Sequence, residues 1–224
     1  MTTTMAMTTE PRDAAAALNL HAWLSPAFPV GAYAYSHGIE WAVEAGDVRD
    51  EASTLAWLRD VLRHGAGRTD AILLRHSMRA HDDPAALDDL ADLALAAAPS
   101  RERRAETRDQ GAAFALAAAP WGGVAAVPYP VAVGALAGRH GIAPSLAVAA
   151  YLQAFAANLI SAAVRLVPLG QTAGLRLLAA LQDEALAITA ATAAATLDDI
   201  GGCAFRSDIA AMRHETQYTR LFRS

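Results

Sequence analysis

His37 and Glu40 fall one helical turn apart, directly behind a tight loop, Ser25-Pro26-Ala27-Phe28-Pro29-Val30-Gly31, and two tyrosines, Tyr33 and Tyr35. A ring nitrogen and a carboxylate at that spacing lie on one helix face. Aromatic residues beside prolines usually pack, so Phe28, Tyr33, Tyr35 and Trp41 are expected in a core. Glu40 then either caps the helix and meets solvent or serves as a functional acid. His21, His64, His76, His81, His140 and His214 are scattered, and no histidine lies three or four residues from another. No helix face therefore offers a ready pair of metal ligands. No Gly-x-Ser-x-Gly elbow occurs. All 18 basic residues are arginine. Without lysine there is no Schiff-base amine and no phosphate-gripping P-loop lysine, so the chain is not expected to be a P-loop nucleotidase.

Two further places concentrate charge beside apolar sequence. Arg165 sits where a long apolar stretch meets Leu166-Val167-Pro168-Leu169-Gly170-Gln171. An unpaired buried guanidinium is costly, so Arg165 must reach solvent, a carboxylate or a partner. The last twenty residues, from Phe205 through Arg213, His214, Glu215, Tyr218, Arg220 and Arg223 to Ser224, form a basic, aromatic-bearing run. Asp208 is expected to cap a helix there reaching Tyr218, with Arg206, Arg213 and Arg220 near one stripe. A solvated amphipathic tail would look the same.

The elements that position these groups read as helices throughout. No run combines strand length, β-branched enrichment and period-two alternation. Helices are expected at Asp13–Leu24, from an N-cap at Ser36 to Gly46, and at Asp50–His64, Thr69–Ala80, Pro84–Ala97 and Ser100–Ala119. A loop follows over Pro120–Pro130, then helices at Val131–His140, Ser145–Arg165 and Leu169–Thr196, the last bending around Gly174. This is an all-α, single-domain helical bundle of about eight to ten helices. Residues 1–12 read as a flexible leader, 13–197 as the helical domain, and 198–224 as a tail that stands apart.

Hydrophobic residues make up 54% of the 224 and aromatics only 6%, so the apolar content is largely Ala and Leu, both strong helix formers. A net charge of −5 gives no general attraction to nucleic acid. Cys203 is the sole cysteine, which rules out an intrachain disulfide and fits a reducing compartment. Leu146–Val164 carries no charge and could span a bilayer by length. Gln153, Asn158, Ser161 and many alanines favour a buried core helix instead, so no membrane is expected.

The pattern Ser-Pro, Pro29-Val30-Gly31-Ala32-Tyr33, Tyr35, Ser36, Gly38-Ile39-Glu40-Trp41 and Glu44-Ala45-Gly46 resembles the N-terminal signature of the urease accessory protein UreF family. Arg165-Leu166-Val167-Pro168 with Gly170-Gln171 is similar to a second family segment. Met212-Arg213-His214-Glu215-Thr216-Gln217-Tyr218-Thr219-Arg220-Leu221-Phe222-Arg223-Ser224 is similar to the family's terminal sequence. A weaker likeness covers Arg103–Phe114, whose charges read equally well as a solvated face. The resemblance implies an all-α, homodimeric, cytoplasmic, non-enzymatic chaperone. It would join UreD (also called UreH) and the GTPase UreG in a complex that loads nickel into apo-urease. Nickel and GTP would be handled by that complex, with no cofactor held stably by this chain. The resemblance also implies partner-binding or control roles for Pro29, Gly31, Tyr33, Tyr35, Ser36, Gly38, Glu40, Arg165, Gln171, Arg213, His214, Glu215, Tyr218, Arg220 and Arg223. In an alternative reading the protein regulates its partner's GTP hydrolysis directly, through an arginine such as Arg165 or Arg220, or through Glu40.

Overall fold

A computed structural model describes residues 10–224. Among them there is no β-strand, and ten α-helices of ten or more residues are joined by one shorter helix and three 3-10 turns. The helices are α1 (Glu10–Trp23), α2 (Ile39–Glu44), α3 (Glu51–His64), α4 (Ala66–Arg79), α5 (Pro84–Ala96), α6 (Arg101–Ala117), α7 (Tyr129–Arg139), α8 (Pro144–Leu166), α9 (Gly170–Ala180), α10 (Gln182–Ala191) and α11 (Phe205–His214). The flexible leader is expected over residues 1–12. Residues 10–12 belong to α1, and 1–9 lie outside the described residues.

Local chemistry sets most of the boundaries. Asp50 accepts the Ser53 amide while Ser53 Oγ returns to the Asp50 amide, a capping box that starts α3. Asp83 and Ser100 cap α5 and α6 in the same sense, and Gly46, at a φ of 78°, follows the end of α2. Three expectations are corrected. Helix α2 starts after Gly38, because His37 and Gly38 take left-handed φ values of 55° and 76° that no α-helix accommodates, although Ser36 Oγ still accepts the Glu40 amide at 3.3 Å. The 169–196 segment divides at Leu181, a fully buried side chain, and continues unbroken through Gly174. The tail helix is opened by Ala204, carries Asp208 within its first turn, and ends at His214.

The core is built around α4, α7 and α8. Gly134 and Gly138 let α7 lie directly on α4. A Cβ at Gly134 would stand 2.5 Å from the Leu74 carbonyl oxygen, and one at Gly138 would collide with that of Met78. Helix α8 is long and apolar enough to cross a membrane by composition, yet Leu152, Ala156 and Leu159 are fully buried against the other helices. Arg75, buried on α4, donates to the Thr189 carbonyl and lies 3.3 Å from Thr192 Oγ1, so it caps the C-terminal end of α10.

Candidate functional site

The 198–224 segment packs on the body, and its last ten residues are stitched to the N-terminal signature. Glu40, in the first turn of α2, is 6% exposed. Its Oε1 accepts the Leu221 amide at 2.6 Å, and its Oε2 accepts the Phe222 amide at 2.9 Å and faces His214 Nε2 at 3.1 Å. The other ring nitrogen of His214 lies 2.6 Å from Glu102 Oε2 on α6. Glu102 Oε1 accepts from Arg220 at 2.7 Å. Two carboxylates thus gather a histidine, an arginine and two backbone donors around one turn of tail. Charge-assisted hydrogen bonds of this kind are roughly twice as strong as neutral ones.

The loop before α2 closes the same seam. The Ser36 amide and hydroxyl both donate to the Ser224 carbonyl, at 2.8 and 2.5 Å, and the Arg223 amide donates to the Ala34 carbonyl at 2.8 Å. Gly38, at a φ of 76°, lets this loop approach α11, since a Cβ there would stand 2.6 Å from the Ala211 nitrogen. Arg165 reaches across from the end of α8. Its Nη2 donates to the Tyr33 carbonyl at 2.6 Å, and its guanidinium sits 4.2 Å from the centre of the Phe222 ring. Glu215 accepts the Arg101 amide and side chain, fastening the end of α11 to the start of α6.

A buried polar cluster continues inward from Ser224, whose hydroxyl donates to Glu106 at 2.7 Å. Glu106 also pairs with Arg103, accepts from Gln110 and lies 2.6 Å from His37 Nε2. Burial works against charge on Glu106, but the Arg103 guanidinium and then His37 hold its pKa down at about 2. Burial, reinforced by Arg103, lowers His37 to about 4, so its ring is neutral near pH 7. His37 also has a φ of 55°, the left-handed region that a non-glycine residue rarely occupies. Beside this cluster Asp70 accepts from Tyr151 at 2.8 Å. A cavity of about 190 Å³ lies between the 24–33 loop and α8, and a second of about 110 Å³ lies near Gly65 and Gly202. His37, Asp70 and Arg103 line both.

Burial pushes Asp70 up to about 6 from its ordinary 3.8, against the opposing Tyr151 hydrogen bond. The folded chain therefore holds this proton more tightly than the unfolded chain does. The resulting stability is complete below about pH 4 and is lost as pH rises through about 6. The unfolding free energy of the wild type minus that of Asp70→Asn should fall by about 1–3 kcal/mol between those limits. Denaturant melts of the two proteins across that range would measure it. A flat difference would remove Asp70 as the titrating group.

The fifteen residues singled out in the sequence divide cleanly. Tyr35, Ser36, Gly38, Glu40, Arg165, His214, Glu215, Arg220 and Arg223 meet in or beside the seam. Of these, Arg223 contributes its amide and stands 5.9 Å from the centre of the Tyr35 ring. Pro29 and Gly31 shape the exposed turn before it. Tyr33, expected in the core, is instead 72% exposed, with only its carbonyl engaged. Arg213 and Tyr218 point to solvent, and Gln171 stands exposed in the first turn of α9, apart from the seam. Sequence reasoning missed Glu102, Glu106 and Ser224. The face carrying Arg103, Glu106 and Gln110 reads as solvated, yet all three are buried. Nothing in their spacing separates a wet i, i+3, i+7 face from one covered by a distant tail. Among the described residues no group of three or more His, Cys, Asp or Glu could hold a metal ion.

The UreF family model matches residues 48–182. A urease accessory protein UreF from Methylobacterium radiotolerans is 54% identical, with 96% of this chain and 99% of the relative aligned. One of the same name from Cereibacter sphaeroides is 56% identical over 94% of this chain and 99% of the relative. Another, from Bradyrhizobium sp. strain BTAi1, is 51% identical over 95% and 93%. The seam lies largely outside the residues of the family model. With a match across more than half its length and relatives above 50% identity over nearly all of it, this chain belongs to the UreF family of urease accessory proteins.

Proposed function

We propose that this protein acts in urease maturation as a non-enzymatic scaffold. It joins UreD and the GTPase UreG in a complex whose GTP hydrolysis drives nickel, as cargo, into apo-urease. It works as a cytoplasmic homodimer, binds no cofactor stably, and engages neither nucleic acid nor membrane. Holding a GTPase beside the metal-receiving partner raises their effective concentration, which requires no catalytic residue in this chain.

The observation that best supports a docking role is the outer face of the tail. While its inner face is fixed to α2 and α6, Phe205, Ile209 and Met212 on α11 are 71%, 46% and 51% exposed, with Tyr218 and Leu221 exposed beyond them. Apolar and aromatic side chains of this kind, rimmed by Arg206 and Arg213, are the types that anchor interfaces. The alternative, direct control of GTP hydrolysis, needs an arginine free to reach the transferring phosphoryl group. Arg165 and Arg220 are both committed within the chain, which favours the scaffold.

Size-exclusion chromatography with light scattering on this protein, UreD and UreG tests the proposal. Deleting residues 210–224 would also remove buried His214, Phe222 and Ser224, so a surface variant is cleaner. Phe205→Ser combined with Ile209→Ser and Met212→Ser should leave the melting temperature nearly unchanged and weaken UreD binding at least about 100-fold, the loss of two or more anchors. Wild-type protein that bound neither partner would refute the scaffold. A variant that bound normally would move the docking face elsewhere.

A further inference from the structure

We infer that a proton shared through His214 is the latch that holds residues 215–224 on α2 and α6. His214 is fully buried, and both of its ring nitrogens face acceptor-only carboxylate oxygens, Nε2 toward Glu40 and Nδ1 toward Glu102. A neutral imidazole has one N–H and can serve only one of them, whereas the doubly protonated ring serves both. The count of charges leads to the same place. From α2 the ring faces Glu40, with Glu44 one turn further on engaged by Gln217. From α6 it faces Glu102. From the tail, Arg220 supplies one positive charge to Glu102. Arg101 is taken by Glu215, Arg103 faces Glu106 and His37, and Arg213 on the histidine's own helix is solvent-exposed. Two carboxylates therefore face one arginine, and the second positive charge is the histidine's.

Without that proton one ring nitrogen sets its lone pair against a carboxylate oxygen, beside the two amides that hold Leu221 and Phe222. The tail then loosens from the seam while the helical body stays folded. The inference concerns this chain alone and stands whatever partner the tail meets.

Full-length protein carrying 15N-labelled histidine rings is the material for the test. At about pH 6 both His214 ring nitrogens should show imidazolium shifts. Exchange protection of the Leu221 and Phe222 amides should drop by roughly tenfold or more in His214→Gln, whose amide cannot donate to both carboxylates. Glu102→Gln, which lets a neutral ring donate to Glu40 while the new amide donates to Nδ1, should keep that protection. A single neutral tautomer of His214 at about pH 6 overturns the latch. So does wild-type protection in His214→Gln, or lost protection in Glu102→Gln.

Discussion

Glu40→Ala should undock the last ten residues and lower global stability by about 3–5 kcal/mol, the cost of breaking a buried charge network on one side. The size follows from what the carboxylate holds, which is two backbone amides and the fully buried His214. Removal leaves the imidazole with only Glu102 and orphans the Leu221 and Phe222 N–H groups as they pass α2. Urea melts would give the free energy, and hydrogen exchange would show loss of protection concentrated at 215–224 and 34–40. A variant within about 1 kcal/mol of wild type, with the tail amides still protected, would show that the carboxylate is not what retains the tail. Glu40→Gln is the instructive companion. It keeps one acceptor oxygen at the same place but removes the charge, so it should recover only a minority of the loss.

Gly38→Ala should be nearly as damaging for a different reason. At a φ of 76° a side chain costs roughly 1–2 kcal/mol before any contact is considered. The added Cβ would then sit 2.6 Å from the Ala211 nitrogen and 2.9 Å from Ala211 Cα, both backbone atoms that no rotamer change can clear. Forcing α2 and α11 apart adds about 1–3 kcal/mol of overpacking. Because α11 bears the exposed Phe205, Ile209 and Met212 face, the substitution should weaken partner capture as well as stability. Thermal melts alongside partner titration would check both. Gly31→Ala is the control. It shares the positive φ but has nothing within 4 Å, so it should show the conformational cost alone.

The elements legible in the sequence were those whose signals are local. Asp50, Asp83 and Ser100 start helices because a short side-chain oxygen meets amides three positions on. Gly46 stops one because only a positive φ closes that turn. Ser36 has the same credentials as a cap and does accept the Glu40 amide, yet its hydroxyl also donates to Ser224, 188 positions away, and α2 begins only after the left-handed His37 and Gly38. The candidate site was legible as residue types and illegible as partnerships. Glu40, Arg165 and His214 stood out, but that all three hold the chain's own tail depends on tertiary packing that no periodicity encodes. The same holds for Glu106. On a helix of low apolar periodicity it looks like solvated charge, and only the covering loop and tail make it a buried carboxylate with a pKa near 2.

The seam joins residues 34–40 to residues 220–224, with sequence separations of 181 to 189 at its hydrogen bonds. During synthesis, which runs at about 5–20 residues per second, Ser36 and Glu40 leave the ribosome long before their partners are made. For that interval the N-terminal loop has no tail to rest on, and Glu40 faces water. The helical body can pack first, since its α4, α7 and α8 contacts need nothing beyond residue 166. Residues 220–224 then close over a body that is already packed. A molecule lacking them can possess the core and still lack the closure, so core packing and seam closure are separate events.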